Sequence, residues 1–336
     1  MLPEPEPAWA FAVASPGLPI SAPSAVLIDA STQKVIYAKS PHTRLPPAST
    51  AKLMTALVVL EKMRLDQVIR IPYWVTSIEP SKAHLRPGER YRVQDLLDAT
   101  LISSANDAAE VLGVASAGSR ARFAQWMNTK AWRLGCRNTH FVNASGLPPG
   151  HQYSTAYDLA LIMKQARQNP VIVNSLSRRH HVIQSLEGRK TFLRNHNRLL
   201  WRSEQFVIGK TGWTRKGRHC FVGRIKWSGR EVLVSLLGSH RLWHDLNVLL
   251  NYQFGVALYK MAKNRKIWSD PAVRSIQLAL VRAGFSPGPL DGRFGPESVR
   301  ATEIFQKKHG LQPDGIVGPK TCKKLVRYGL SPSYCR

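Results

Sequence analysis

Two places near the start of the chain set a serine three residues ahead of a lysine: Ser31 with Lys34 in "LIDASTQKVIYAK", and Ser49 with Lys52 in "PPASTAKLMTALVVLEKM". A serine hydroxyl attacks nothing until a neighbour takes its proton, and a lysine can take it only while neutral. Spacing alone carries little weight, because a chain this long holds about one such pair by chance at ordinary residue usage. Local structure separates the two. "SAVLIDA", "STQK" and "VIYAK" read as two alternating strands around a polar turn, so Ser31 and Lys34 bracket a surface bend and need not face one another. At the second pair Pro46 and Pro47 end the extended chain, Ser49 is a good helix N-cap, and Leu53, Leu57 and Leu60 follow at helical spacing. Met54, Val58 and Val59 make that helix apolar on nearly every side, which predicts a central buried helix. A serine at its start and a lysine one turn on share a face.

Around this helix the pattern predicts further helices near 93–102, 106–115, 119–134 and 155–168, the last capped by Ser154 or Thr155. "FVIGKTGWT", "HCFVGRIKW" and "REVLVSLLGS" read as strands, the last two joined at Ser228-Gly229. A hairpin first, helices in the middle and strands at the end predict an α+β fold, an antiparallel sheet with helices against it. After residue 258 the texture changes. A basic linker at 259–269 precedes an internal repeat, "DGRFGPES" at Asp291 to Ser298 and "DGIVGPKT" at Asp314 to Thr321, each an Asp-Gly turn followed by Gly-Pro opening a helix. With helices near 271–283 and 298–309, residues 270–336 predict a small all-α domain. Residues 1–21 form a Pro-rich segment to which no structure is assigned, and 22–258 the main domain.

Composition narrows the class. At 43% hydrophobic and 21% charged residues the chain reads as folded rather than disordered. No apolar run approaches the length that spans a bilayer. The net charge is +27, with 48 Lys and Arg against 21 Asp and Glu, and both the main domain and the C-terminal part are basic. Such a field favours polyanions: nucleic acid, anionic lipid or an acidic wall polymer. No RNP-type strands, zinc-finger spacings or basic-zipper heptads point to nucleic acid. Cys322 and Cys335 flank the last segment and either pair or stay free thiols; Cys136 and Cys220 read as buried small hydrophobes. Ala12 and Ala14 offer a cleavage-like Ala-x-Ala, but no basic stretch precedes them, so an export signal is not clearly present. His240 and His244 make an H-x-x-x-H without the following Glu or a third ligand, so no metal is expected.

Two more short elements complete an ordered set: Ser104-Ala105-Asn106 in "LISSANDAAEVL" and Lys210-Thr211-Gly212 in "VIGKTGWT". S-x-x-K, S-x-N and K-T-G in this order resemble the serine penicillin-recognising enzymes. "LGCRNTHFVNASGLP", "YSTAYDLALIMKQA" and "NHNRLLW" extend the likeness across residues 22–258 to the low-molecular-mass penicillin-binding proteins, the serine D-alanyl-D-alanine carboxypeptidases. The repeat domain is similar to small peptidoglycan-binding modules. The resemblance implies a penicillin-binding-protein/β-lactamase-like sheet and helices, Ser49 as nucleophile and Lys52 as its base. It further implies that Ser104 relays the proton to the departing amine and that Asn106 holds the substrate's amide. Lys210, catalytic as well as substrate-binding, and Thr211 would take the peptide's terminal carboxylate, with Gly212 letting substrate approach. The oxyanion hole would combine the N–H groups of Ser49 and Trp213. His240 or Arg241 would stand in for an arginine that some relatives use. Ser104 to Asp107 would also serve as a helix cap.

The expected partners are peptidoglycan stem peptides and glycan, with β-lactams as covalent inhibitors of the same serine, no cofactor and an exported location in periplasm or cell wall. Two alternatives remain open: a DD-endopeptidase cutting cross-links, and an inactive wall-binding protein. A class A β-lactamase would need an E-x-x-L-N between Asn106 and Lys210, and none is found.

Overall fold

The computed structural model describes residues 17–254 and 270–335, except 149, 203–206, 228, 291, 293, 295, 314 and 316. The expected linker at 259–269, most of the Pro-rich segment, Ser228 of the strand turn, and Asp291 and Asp314 of the repeat lie outside the described residues. The chain falls into two compact units, Met1–Leu249 and Leu250–Arg336.

The first unit opens with the hairpin β1 (Ser24–Asp29) and β2 (Val35–Lys39). Ser31 sits in its turn, where Asp29 Oδ1 accepts from the Ser31 hydroxyl at 2.6 Å and from the Ser31 and Thr32 N–H groups. Those bonds hold the Asp29 carboxyl down to about 2 and leave Ser31 bound to an acid. A 3₁₀ turn (Ala48–Ala51) then leads into α1 (Lys52–Lys62). The helix thus starts at Lys52 and not at Ser49. Its N-cap is Ala51, without a side-chain cap, so the capping role expected of Ser49 is not the one it plays.

The ribbon β3 (Val68–Arg70) and β4 (Arg90–Arg92) precedes α2 (Val93–Ile102), α3 (Asn106–Ala117) and α4 (Arg120–Arg133). Next come α5 (Ala156–Ala166), capped by Thr155 accepting from the Asp158 N–H, and α6 (Pro170–Ser177). The hairpin β5 (His180–Gln184) and β6 (Lys190–Arg194) and the short α7 (Arg198–Arg202) lead to β7 (Val207–Thr214), β8 (Arg218–Trp227) and β9 (Arg230–Ser239). The helix α8 (Leu242–Phe254) follows.

One antiparallel sheet runs in the order β2-β1-β9-β8-β7, with β7 at an edge. On one face Val26, Ile28, Val222 and Leu233 join the helices in a single apolar core. There α1 touches α2, α3, α4 and α5, and all of Lys52 to Val59 is buried. Side chains alternate along a strand, so Phe221 points the other way, where it meets Trp243 of α8 edge-on at 6.5 Å. Strands covered on both faces explain why the last three read as nearly continuous apolar runs. The sequence reading missed β3 to β6 and α6 to α8. The ribbons are only three to five residues long, and Val68, Val182 and Phe192 put apolar side chains on their outer faces, so their period-2 signal is weak.

The second unit packs α9 (Asp270–Arg282), α10 (Pro296–Lys308) and α11 (Pro319–Val326) around Ile276, Leu280, Phe305, Cys322 and Leu325. Its repeat is held by two buried glutamines. Gln277 Oε1 accepts from the Gly292 N–H at 3.0 Å, and Gln306 Oε1 from the Gly315 N–H at 2.8 Å. Both glycines have positive φ, 76° and 68°, which their turns require. Each glutamine Nε2 in turn donates to the hydroxyl opening the next helix, Ser298 or Thr321. Cys322 and Cys335 are disulfide-bonded across a sequence separation of 13, while Cys136 and Cys220 are free and buried. A loop of this size restricts the unfolded chain enough to contribute about 3 kcal/mol. Denaturant titration of the full chain should therefore show one transition that moves to lower denaturant in Cys322→Ser/Cys335→Ser, while the transition of the first unit stays put. An unmoved pair of transitions would show that the bond adds no stability.

Candidate active site

Ser49 owes its position to the 3₁₀ turn. Pro47 O accepts from the Thr50 hydroxyl at 2.6 Å and the Thr50 N–H at 3.2 Å, which tightens the chain ahead of α1. In 3₁₀ geometry residues three apart eclipse one another, so Ser49 and Lys52 stack more closely than two residues of an α-helix. Two glycines let the rest of the fold close on this turn. A Cβ on Gly212 of β7 would lie 2.9 Å from the Ser49 nitrogen, and one on Gly146 would lie 2.0 Å from Ala48 O. Ala48 itself is left-handed, with φ 49°, a small residue where a larger one would be strained.

Lys52 is fully buried. Its Nζ lies 2.8 Å from Ser49 Oγ, 2.6 Å from Asn106 Oδ1 and 2.7 Å from Ser145 O. Asn106 is oriented by its other end, since Nδ2 donates to Glu79 O at 3.0 Å. The peptide that carries Ser145 O is oriented likewise, its Gly146 N–H donating to Asn143 Oδ1 at 2.8 Å, while the Ser145 N–H ahead of it donates to Glu110 Oε1 at 3.0 Å. Two of the three neighbours of Nζ are therefore oxygens that only accept. A neutral amine has two N–H bonds for them and one lone pair, which then faces the Ser49 hydroxyl. Burial, and next the charge of Lys210, push the Lys52 pKa well below the usual lysine value, against the opposing pull of Glu110 and Asp107.

Lys210 reaches the same place from the edge strand. It is buried, and burial lowers its pKa to about 7. Among the described residues its Nζ makes one hydrogen bond, to Thr211 O at 3.0 Å. A buried ammonium with one acceptor has donors left for an incoming anion. Two adjacent buried lysines resist being charged together, so one positive charge on the pair is the stable arrangement.

The structure thus brings Ser49, Lys52 and Asn106 into direct contact, with Lys210 beside them and Gly212 against the Ser49 backbone. Asn106, expected to hold substrate, has its amide engaged by Lys52 and Glu79 O. Ser104 is buried in a left-handed conformation, φ 60°, and its hydroxyl makes no hydrogen bond among the described residues. It does not cap α3, whose N-cap is Ala105 without a side-chain bond, so the cap expected there is absent. Asp107 anchors backbone instead, accepting from the Ala83 and Leu85 N–H groups at 2.9 and 3.1 Å. Thr211 is half-buried beside Lys210, and Trp213 is 57% exposed with its ring 6.4 Å from that of His219. His240 and Arg241 are exposed beyond that end of the sheet, where both backbone N–H groups donate to Ser21 Oγ.

Sequence reasoning missed the Ser145 carbonyl, Glu110, Gly146 and His196. The first acts through its backbone, which leaves no side-chain signature. The His196 side chain is exposed to solvent within electrostatic reach of both lysines, and the surrounding protein and then Lys210, Lys52 and Arg194 lower its pKa to about 4. That keeps the imidazole neutral beside the two lysines.

Comparison with known proteins agrees with this geometry. Residues 10–240 match the D-alanyl-D-alanine carboxypeptidase peptidase family, and residues 269–325 match a peptidoglycan binding domain family. The chain is 33% identical over 227 residues to the D-alanyl-D-alanine carboxypeptidase DacF of Bacillus subtilis, covering 65% of this chain and 57% of that protein. It is 35% identical over 216 residues to a D-alanyl-D-alanine endopeptidase of Pseudomonas aeruginosa, covering 62% of this chain and 69% of that one. Among solved structures, a D-alanyl-D-alanine carboxypeptidase from Mycobacterium tuberculosis superposes with a TM-score of 0.68 at 30% identity, covering 73% of this chain and 95% of that chain. The chain therefore spans less than two thirds of the Bacillus relative but nearly all of the mycobacterial structure. On the family match and on the arrangement around Ser49, the chain belongs to the D-alanyl-D-alanine carboxypeptidase family.

Proposed function

We propose that this protein removes the terminal D-alanine from peptidoglycan stem peptides through an acyl-enzyme on Ser49. The observation that carries the reading is the fully buried Lys52 Nζ, 2.8 Å from Ser49 Oγ, with two fixed acceptors for its N–H bonds. Lys52 takes the Ser49 proton as Oγ attacks the carbonyl carbon between the two D-alanines. The oxyanion is held by the N–H groups of Ser49 and Trp213. The carbon–nitrogen bond then breaks, and the departing amine receives the proton from Lys52 by way of the Ser104 hydroxyl. Water, deprotonated by Lys52, attacks the ester and frees Ser49. Lys210 and Thr211 hold the terminal carboxylate, and the substrate backbone adds to the open edge of β7. Asn106 chiefly aims the base, and it meets the substrate amide only by exchanging one of its present bonds. β-Lactams acylate the same serine.

A protein acting on peptidoglycan acts outside the cytoplasm, in periplasm or cell wall, and the repeat unit fastens it to its substrate. The likeness to an endopeptidase supports a second reading, in which the leaving amine belongs to a neighbouring stem. It uses the same acyl-enzyme.

Incubated with pentapeptide muropeptides, the protein should release one alanine from monomers, read by mass; cleaved dimers instead would establish the endopeptidase. Ser49→Ala should lose this activity and covalent penicillin labelling, and Ser31→Ala should keep both; equal labelling of the two variants would sink the assignment. Gly212→Ala should slow penicillin acylation by at least tenfold, on the order of one lost oxyanion contact, because the new methyl presses on the Ser49 nitrogen. An unchanged rate would remove Gly212 from the site. In the pH profile, kcat/KM should rise as Lys52 loses its proton and fall above about 7 as Lys210 loses the charge that attracts the carboxylate. A substrate amidated at its C-terminus should lack the alkaline fall, and identical profiles would separate Lys210 from carboxylate binding.

A further inference from the structure

The strands β7 and β8 are joined by a tight turn, Arg215-Lys216-Gly217, next to the cross-strand pairs of Thr214 with Arg218 and Trp213 with His219. Arg215, Lys216 and Arg218 are exposed, and none of them has an ion pair among the described residues. The sequence offers them no close acid either, since none stands between Glu204 and Glu231. Arg218 adds an anomaly of the backbone. Its φ is 53°, a left-handed conformation that favours glycine. Glycine stands one residue earlier instead, at Gly217, where no positive φ requires it. A side chain kept against a local backbone rule points to a function for that side chain.

Gly217 answers to close packing. A Cβ on it would lie 2.8 Å from Thr214 Oγ1 and 3.1 Å from Pro46 Cβ. Thr214 Oγ1 accepts from the Gly217 N–H at 2.8 Å, and Cys220 Sγ donates to Pro46 O at 3.6 Å. The turn is therefore pressed on Pro46, as Gly212 is pressed on the Ser49 nitrogen, and the segment from Pro46 to Ser49 runs beside β7 from the turn back to Gly212. The open edge of β7 then has a direction for its substrate. With the terminal carboxylate at Lys210 and Thr211 and the scissile carbonyl at the Trp213 N–H, the rest of the stem extends past Trp213, away from Val207. At about 3.3 Å per residue, the two residues ahead of the acylating D-alanine lie level with Thr214 and the basic turn.

We propose that Arg215, Lys216 and Arg218 form a subsite that selects stem peptides with free carboxylates on the residues ahead of the D-alanyl-D-alanine pair; this rests on the function proposed above. Cations without an ion pair of their own have donors left for an incoming anion, and a guanidinium takes both oxygens of a carboxylate. Solvation alone accounts for a lysine at the tip of a turn, but not for an arginine in a left-handed conformation. An amidated carboxyl brings no charge and turns N–H groups towards the same cations, so the subsite disfavours it. Exposed charges of this kind discriminate between substrates more than they add affinity.

Release of D-alanine by the full chain is compared on two pentapeptides that end in D-alanyl-D-alanine. They differ only in whether the carboxyl groups on the second and third residues are free or amidated. The native chain should prefer the free acid through KM, and the preference should fade as salt is raised. In Arg215→Gln/Lys216→Gln the ratio of kcat/KM, free acid over amide, should fall about fivefold, the scale of exposed ion pairs. Arg215→Glu/Lys216→Glu should lower it further. Arg218→Gly, which relieves the backbone, should lower the ratio as well. A native chain without preference overturns the subsite. So does a ratio that any of these variants leaves unmoved, whether both rates fall together or neither does. If the native chain releases no alanine from either peptide, the proposed function fails. The subsite is then judged by calorimetric binding of the two peptides, where Arg215→Gln/Lys216→Gln should weaken binding of the free acid alone, and equal binding by the native and variant chains counts against it.

Discussion

A primary amine fully buried away from bulk solvent governs the catalytic unit. In bulk water Lys52 would hold its proton at any physiological pH and be useless as a base. Inside the helix core the charged form loses its solvation, and the nearby Lys210 opposes a second positive charge. The amine is nevertheless not left unsatisfied: Asn106 Oδ1 and Ser145 O take its N–H bonds. Burial and Lys210 disfavour the charge, and the two acceptor oxygens orient the amine. They also account for the central position of α1, since only a helix surrounded by other helices can bury its first lysine so completely.

Two kinds of element converge on that amine. The helices supply Ser49, Lys52 and Asn106, whereas the sheet supplies Lys210 from its edge. An unpaired edge strand invites association with other chains. In the proposed function that property becomes the binding mode, with the substrate backbone occupying the open side of β7. The close approach has a steric requirement that Gly212 and Gly146 meet, because any Cβ there would press on the Ser49 turn. Glu110 and Asp107 stand behind the site and fix backbone, one through Ser145 and the other through Ala83 and Leu85.

The second unit solves a smaller problem with the same economy. Its core is short of apolar residues, so a disulfide and two buried glutamine clasps add what packing alone would not. The net charge of +27 suits a protein that works on an anionic wall polymer.

Much of this was legible in the sequence because local physics wrote it there. Alternation marked the strands of the first hairpin, apolar runs marked β7 to β9, and helical spacing marked α1 to α5. The order of S-x-x-K, S-x-N and K-T-G singled out Ser49, Lys52 and β7 for the roles proposed above, and local pattern set Ser49 apart from Ser31 in its surface turn. What it left out depends on atoms far apart in the chain. The close fit around Ser49 needs a glycine on a strand more than 150 residues away. The Ser145 carbonyl and the packing of the β7–β8 turn on Pro46 carry no motif, because a backbone oxygen looks the same in every residue and a contact between distant segments has no sequence period. Residue types and their order determined which side chains are available for chemistry; the packing of helices against the sheet edge decided that one lysine is biased against holding its charge and which oxygens aim it.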